Sequence, residues 1–152
     1  MRHINRIVIH CSATKVTSDY TPEQLLSDHL ARGFKTYGYH YYIRKDGTLV
    51  PMRPLDEMGA HAAGYNTASV GICYEGGLDD TGKPADTRTQ EQKRSMLELL
   101  QDLTGKYPIK HLNGHRDLSP DANANGIVES AEWTRQCPCF DVKEEFKNEI
   151  KF

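Results

Sequence analysis

Residues 4–11 read INRIVIHC, and within them Ile7, Val8 and Ile9 follow one another without a polar break. A short run of β-branched residues describes a buried strand. The next segment predicts a helix: Thr21 stands at an N-cap, Pro22 at the first helical position and Gln24 three residues after the cap. Leu25, Leu26 and Leu30 supply an apolar face, and Gly33 supplies a stop. YHYYIRKDGTLVPM, from Tyr39 to Met52, alternates around Lys45-Asp46-Gly47-Thr48 and predicts a β-hairpin. SVGICYE at 69–75 is a further strand. Thr89 with Gln92 caps a second helix whose Met96, Leu100, Leu103 and Tyr107 recur at helical spacing until Pro108. IKHLNGH at 109–115 predicts a last strand, and DVKEEFKNEI at 141–150 a closing helix. Strands alternating with helices, with one hairpin among them, give an α/β fold: a single domain with a mixed central β-sheet and helices packed on it.

The chain has 152 residues, one domain's worth, enough to bury a core without disulfides. Its 19 basic and 21 acidic side chains are mixed along the sequence and leave a formal net charge of −2, which gives no reason to expect nucleic acid or an anionic membrane as partner. No stretch is long and apolar enough to span a bilayer, and the apolar run before His10 is too short for a signal-peptide core. Synthesis in the cytoplasm without a signal peptide is therefore the expectation. Cys11 and Cys73 lie in apolar strand-like runs, where free cysteine packs as a small hydrophobe.

The residues with metal chemistry are His10 at the end of the first strand, His115 at the end of the last, and Cys137 after the long loop that follows. Two imidazoles and a thiolate are zinc ligands, and three protein ligands leave a fourth tetrahedral position open, the arrangement of catalytic rather than structural sites. Singly, each residue is as well explained by an ordinary surface or core role, and spacing alone is a weak signal.

The surrounding blocks are more specific. VIHCSAT, GYHYYIRKDGT, GAHAAGYNTASVGICYEGG, GH and CPCFD occur in this order, and over residues 4–145 the chain resembles the zinc N-acetylmuramoyl-L-alanine amidases of the phage T7 lysozyme and peptidoglycan-recognition-protein family. The resemblance implies one amidase domain over 1–152, with Zn2+ held by His10, His115 and Cys137, and Tyr39 beside the catalytic water. The reaction it implies is hydrolysis of the amide joining the lactyl group of N-acetylmuramic acid to L-alanine in peptidoglycan. The resemblance further implies an enzyme that acts on the bacterial wall after release or export, with a phage or prophage as its source. Oligomeric state has no signature in the sequence.

Two departures from that pattern matter. Arg135 stands where the T7-like proteins have a lysine; always charged, it suits oxyanion stabilisation rather than proton donation, or else binds a substrate carboxylate or caps the nearby surface. Cys139, two residues after Cys137, points the same way in an extended segment and competes as a ligand on geometry, whereas family position favours Cys137. His40 and His61 lie within family blocks, where they line the groove, orient ligands from behind, or serve plain structural roles.

An inserted loop at about 120–134 carries a second pattern. Asp121, Asn123, Asn125, Gly126, Ile127 and Glu132 fall at places 1, 3, 5, 6, 7 and 12 of a Ca2+ loop: side-chain oxygens, a turn glycine, a backbone carbonyl and a final glutamate. The competing reading is a Gly/Asn turn with a short helix from Ser130, and Pro120 argues against the usual incoming helix. Among rival functions, a non-catalytic peptidoglycan-binding recognition module leaves Cys137 unexplained, a nucleobase deaminase lacks HxE and PCxxC, and a calcium-dependent interaction module leaves the amidase blocks unexplained.

Overall fold

The computed structural model describes residues 2–152. Its strands and helices in chain order are β1 (Arg6–Cys11), β2 (Thr14–Lys15), α1 (Pro22–Ala31), β3 (Tyr41–Ile43), β4 (Leu49–Pro51), β5 (Ser69–Tyr74), β6 (Gly77–Leu78), α2 (Gln90–Lys106), β7 (His111–Gly114) and α3 (Val142–Phe146). Two single-turn 3-10 helices, His115–Leu118 and Ser130–Glu132, flank the long loop. The main sheet has the order β4-β3-β5-β1-β7, parallel except for the β3/β4 hairpin, and β2 pairs with β6 in a small second sheet. This is the single α/β domain with a mixed sheet that the sequence predicts.

Strand alternation divides the sheet into two unlike faces. Ile7, Ile9 and Cys11 of β1 and Val70, Ile72 and Tyr74 of β5 join Met96, Leu99, Leu100 and Leu103 of α2 in the main core. Burial of one such aliphatic side chain stabilises the fold by about 1.5–3 kcal/mol. The opposite face carries Val8 and His10 of β1 and Ser69, Gly71 and Cys73 of β5. Among the described residues, Leu25, Tyr42 and Cys73 form a small buried apolar cluster there, beneath α1. Both long helices start with reciprocal capping boxes, Thr21 with Gln24 and Thr89 with Gln92.

Some boundaries differ from the sequence reading. In α1 the buried positions are Leu25 and His29, while Leu30 is 49% exposed, because only one turn of the helix faces the sheet. The closing helix stops at Phe146, short of Ile150, and His115 opens a 3-10 turn instead of ending β7. The hairpin ladder pairs only Tyr41–Ile43 with Leu49–Pro51, so Tyr39 and His40 precede it. Cys11 and Cys73 are buried and free. Among the described residues no helix is long and apolar enough to cross a membrane.

Candidate metal centre

His10, His115 and Cys137 come together although up to 127 positions separate them: one ligand atom from each lies within 4.8 Å of the others. A tetrahedral zinc ion with bonds of about 2.0–2.3 Å needs its donors about 3.3–3.6 Å apart, so the group is at the spacing that such an ion would draw together. The donor set, two imidazoles and a thiolate, suits the same ion.

Each donor is placed by the backbone around it. His10 is the penultimate residue of β1, pairs in register with Cys73 of β5, and is 1% exposed. β7 pairs parallel with β1 through Ile9↔Gly114, which brings His115 alongside, with its ring centroid 4.4 Å from that of His10. Cys137 is held on both sides: Cys11 N–H donates to its Sγ at 3.1 Å, and its carbonyl accepts from Arg116 N at 2.8 Å. The next residue is fixed by the Tyr74 hydroxyl, which donates to the Pro138 carbonyl at 2.6 Å. Gly114 lies against Pro138, where an added Cβ would come within 2.7 Å of Cδ. Cys139 faces elsewhere, its thiol donating to the Gly77 carbonyl at 3.3 Å.

Electrostatics favour the ligating forms. Burial, with His61, His115 and Arg135 nearby, pushes His10 well below the ordinary imidazole value. Burial and then Arg135 lower His115 to about 4. Both rings are therefore neutral near pH 7, the form with a free lone pair. Tyr39 is half-buried with its ring centroid 4.9 Å from that of His10; burial, and then the Cys73 thiol, raises its hydroxyl well above the ordinary value, so it stands as an O–H donor.

The donors open into a cleft of about 270 Å3 lined also by Tyr39, Arg135, Ser12, Arg32, Phe34 and His61. Ser12, His29, Arg32 and Tyr39 continue into an adjoining hollow of about 480 Å3 that reaches Tyr20 and Asp28. His29 and Arg32 stand outside the sequence motifs that mark the other residues of the cleft. The signal for His29 is its i+4 spacing from Leu25 on the buried side of α1, and its Nδ1 accepts from Gly38 N at 2.8 Å. His40 does not line the cleft: its Nδ1 accepts from Gly71 N at 3.0 Å and its Nε2 lies 2.9 Å from the Glu57 carbonyl, so it braces β5 against the loop before Met58.

The loop that carries Asp121, Asn123, Asn125, Ile127 and Glu132 stands apart from the cleft, exposed over 122–127. Gly126 N–H donates to Asp121 Oδ2 at 2.7 Å with φ +86°, Ile127 N–H to Asn125 Oδ1 at 3.0 Å, and Asn123 N–H to Glu132 Oε2 at 3.2 Å. Asp121 Oδ1 is shut off from solvent and has no hydrogen-bond partner. Both parts of the competing reading are present too, the turn and the short helix from Ser130. The loop ends are tied where Thr134 N–H donates to Ser119 Oγ at 3.1 Å and Arg116 stacks 3.8 Å from the Trp133 ring centroid.

Comparison with known proteins gives consistent matches. A family model described as N-acetylmuramoyl-L-alanine amidase matches residues 1–138. An endolysin of Klebsiella phage KP32 is 37% identical over 147 residues, covering 96% of this chain and 88% of that protein. Peptidoglycan-recognition protein LB of Drosophila melanogaster is 30% identical over 143 residues, covering 84% of this chain and 58% of that protein. Among solved structures, an endolysin N-acetylmuramoyl-L-alanine amidase from Clostridium intestinale superimposes with a TM-score of 0.73 at 30% identity, covering 96% of this chain and 85% of that one.

Proposed function

The chain belongs to the N-acetylmuramoyl-L-alanine amidase family, and from that premise we propose that it hydrolyses the amide between the lactyl group of N-acetylmuramic acid and L-alanine in peptidoglycan, with zinc held by His10, His115 and Cys137. The observation that carries this reading is the convergence of those three side chains at the floor of one cleft, with Tyr39 and Arg135 in its walls. Zinc, when bound there, supplies Lewis acidity and brings the pKa of coordinated water down to about 7.

The protein's own groups do the rest. Arg135, permanently cationic, stabilises the negative charge that develops on the scissile carbonyl oxygen. Tyr39, an O–H donor at neutral pH whose hydroxyl is pushed further above its ordinary value by burial, donates a hydrogen bond to the same oxygen or orients the attacking water. The adjoining hollow past Ser12 and Arg32 leaves room for the substrate on one side of the reacting amide. The products are a lactyl carboxylate on the glycan and a free alanine amine on the stem peptide. The site of action is the bacterial wall, reached after release or export.

The test is digestion of purified peptidoglycan followed by identification of new amino termini. Release of L-alanine termini with intact glycan strands is the expected outcome. Tight binding to peptidoglycan without any new terminus, in zinc-loaded protein, would replace the enzyme by a recognition module.

The 120–134 segment adds a Ca2+ site to this reading. Its support is the twelve-residue ligand pattern together with the occluded, unpaired Asp121 Oδ1, a carboxylate oxygen that a cation would satisfy. Two of the side-chain ligands are neutral asparagines, so affinity is modest. Trp133, the chain's single tryptophan, adjoins the loop and makes Tb3+ luminescence the probe. Sensitised emission that calcium displaces and that Asp121→Ala removes is expected; no sensitised emission in wild type overturns the site.

A further inference from the structure

Behind His10 stand two buried polar side chains to which the hydrolysis gives no role of their own, His61 and Ser69, in file with it. His10 Nε2 lies 2.9 Å from His61 Nδ1, and His61 Nε2 lies 3.1 Å from Ser69 Oγ. All three residues are buried, His61 at 8% exposure and Ser69 at none. Two ring nitrogens at hydrogen-bond distance need one donor and one acceptor, which leaves two neutral arrangements. In one, His61 Nδ1–H donates to His10 Nε2. His10 then carries its proton on Nδ1 and its one lone pair is already used, so it has nothing to offer a metal. In the other, His10 Nε2–H donates to His61 Nδ1, His61 Nε2–H donates to Ser69 Oγ, and His10 Nδ1 keeps a free lone pair. Only the second is compatible with ligation by His10.

The protein has made space for this file at some cost. Gly71 interrupts β5 between Val70 and Ile72, and a Cβ there would come within 2.6 Å of His61 Cγ. A Cβ on Gly59 would come within 2.7 Å of His61 Cδ2. Glycine in a strand interior weakens the strand and marks a close approach, here that of an imidazole ring. The backbone of the ring is pinned as well: Asn66 Oδ1 accepts from both His61 N and Ala62 N at 3.0 Å. His61 is thus fixed in plane and in position, with Nδ1 aimed at His10.

We propose that His61 is a positioning residue for the metal centre: as acceptor from His10 Nε2, backed by Ser69, it holds His10 in the tautomer and rotation that present Nδ1 to the metal. The inference rests on the zinc reading of the cleft and deepens it, separating His61, which acts on a ligand, from His40, which braces backbone. Partners of this kind fix tautomer and ring orientation, and their removal typically weakens metal binding about 10- to 100-fold.

Two measurements on the purified full chain test it. In the zinc-loaded wild type, 15N resonances of the His10 imidazole should show a metal on Nδ1 and a proton on Nε2; a metal on Nε2 overturns the proposal. Competition with a chromophoric chelator then gives the zinc dissociation constant of variants. His61→Leu should weaken zinc about 10- to 100-fold and alter the visible spectrum of the Co2+-substituted protein. His61→Asn, whose Oδ1 can stand in for the lost acceptor, should recover most of the affinity, and this variant decides the matter if His61→Leu does not fold. A lower melting temperature with unchanged zinc affinity and Co2+ spectrum in both variants would make His61 merely structural and sink the proposal. Wild type that takes up no zinc at all would instead remove the metal reading on which it rests.

Discussion

The two regions with metal-ligand chemistry are built in opposite ways. His10, His115 and Cys137 come from three separate segments and meet only because β1, β7 and the Pro138 segment pack together. Asp121 to Glu132 lie within twelve residues, exposed over 122–127, and are shaped by their own turns. The first site is a consequence of the whole fold and is preformed by it. The second is a local structure held by hydrogen bonds within its own twelve residues. A change at the first should therefore alter function with the fold intact, whereas a change at the second should alter local order with function largely kept.

The sharpest way to break this contrast is at Cys137. Cys137→Ala is expected to abolish zinc retention and hydrolysis, while Cys139→Ala, which removes only a thiol bonded to the Gly77 carbonyl, spares both; zinc analysis and peptidoglycan digestion read the pair. Arg135→Ala comes next: turnover should fall about 100-fold, the cost of losing one oxyanion-stabilising group, with zinc content unchanged. An unchanged turnover would take Arg135 out of the mechanism.

A third expectation concerns the polar face of the sheet behind His10. His40 is buried, and that burial, opposed by the Glu57 carbonyl and helped by Arg2 and Arg53, lowers its pKa to about 4. The unfolded chain then binds more protons than the folded one between about pH 6.5 and 4. Stability is complete above pH 6.5 and falls through that window, by on the order of 3 kcal/mol from this group. His40→Gln should flatten the dependence in urea titrations at a series of pH values; an equally steep fall would assign it to other groups. The smallest effect on zinc chemistry belongs to the loop. Calcium at a hundredfold excess over Kd should raise the melting temperature of wild type by roughly 8 °C. Asp121→Ala should lose that rise while changing zinc content and turnover by less than about twofold, since the two sites share no ligand. Loss of zinc on this substitution would show the loop to be part of the centre.

How much was legible in the sequence follows the same division between local and non-local. The capping boxes at Thr21 and Thr89 could be read directly because each is complete within four residues. The β-branched run at Ile7–Ile9 is likewise its own signal, and with the other strands and helices it gave the mixed α/β sheet. The calcium-loop pattern was visible for that reason too. The grouping of His10 with His115 and Cys137 was not visible from spacing, since no local rule links residues in different segments; it came from the order of the motif blocks. Leu30 departs from its expected place because helical periodicity does not say how wide a face the sheet will cover, and in α1 only Leu25 and His29 are buried. The β2/β6 pair has no sequence signal, as a two-residue strand carries no pattern to recognise. The glycine slot around His61 was hidden as well: Gly59 and Gly71 acquire meaning only when the ring between them is placed.

The central claim is that His10, His115 and Cys137 form a catalytic zinc centre, and the most direct test is zinc content per chain, by inductively coupled plasma mass spectrometry, paired with release of L-alanine amino termini from purified peptidoglycan. The account predicts close to one zinc in wild type, none in Cys137→Ala, and hydrolysis that disappears on chelation and returns when zinc is restored. A wild-type protein that holds no zinc and stays inactive after zinc is supplied, or one that hydrolyses peptidoglycan equally well without metal, would contradict it.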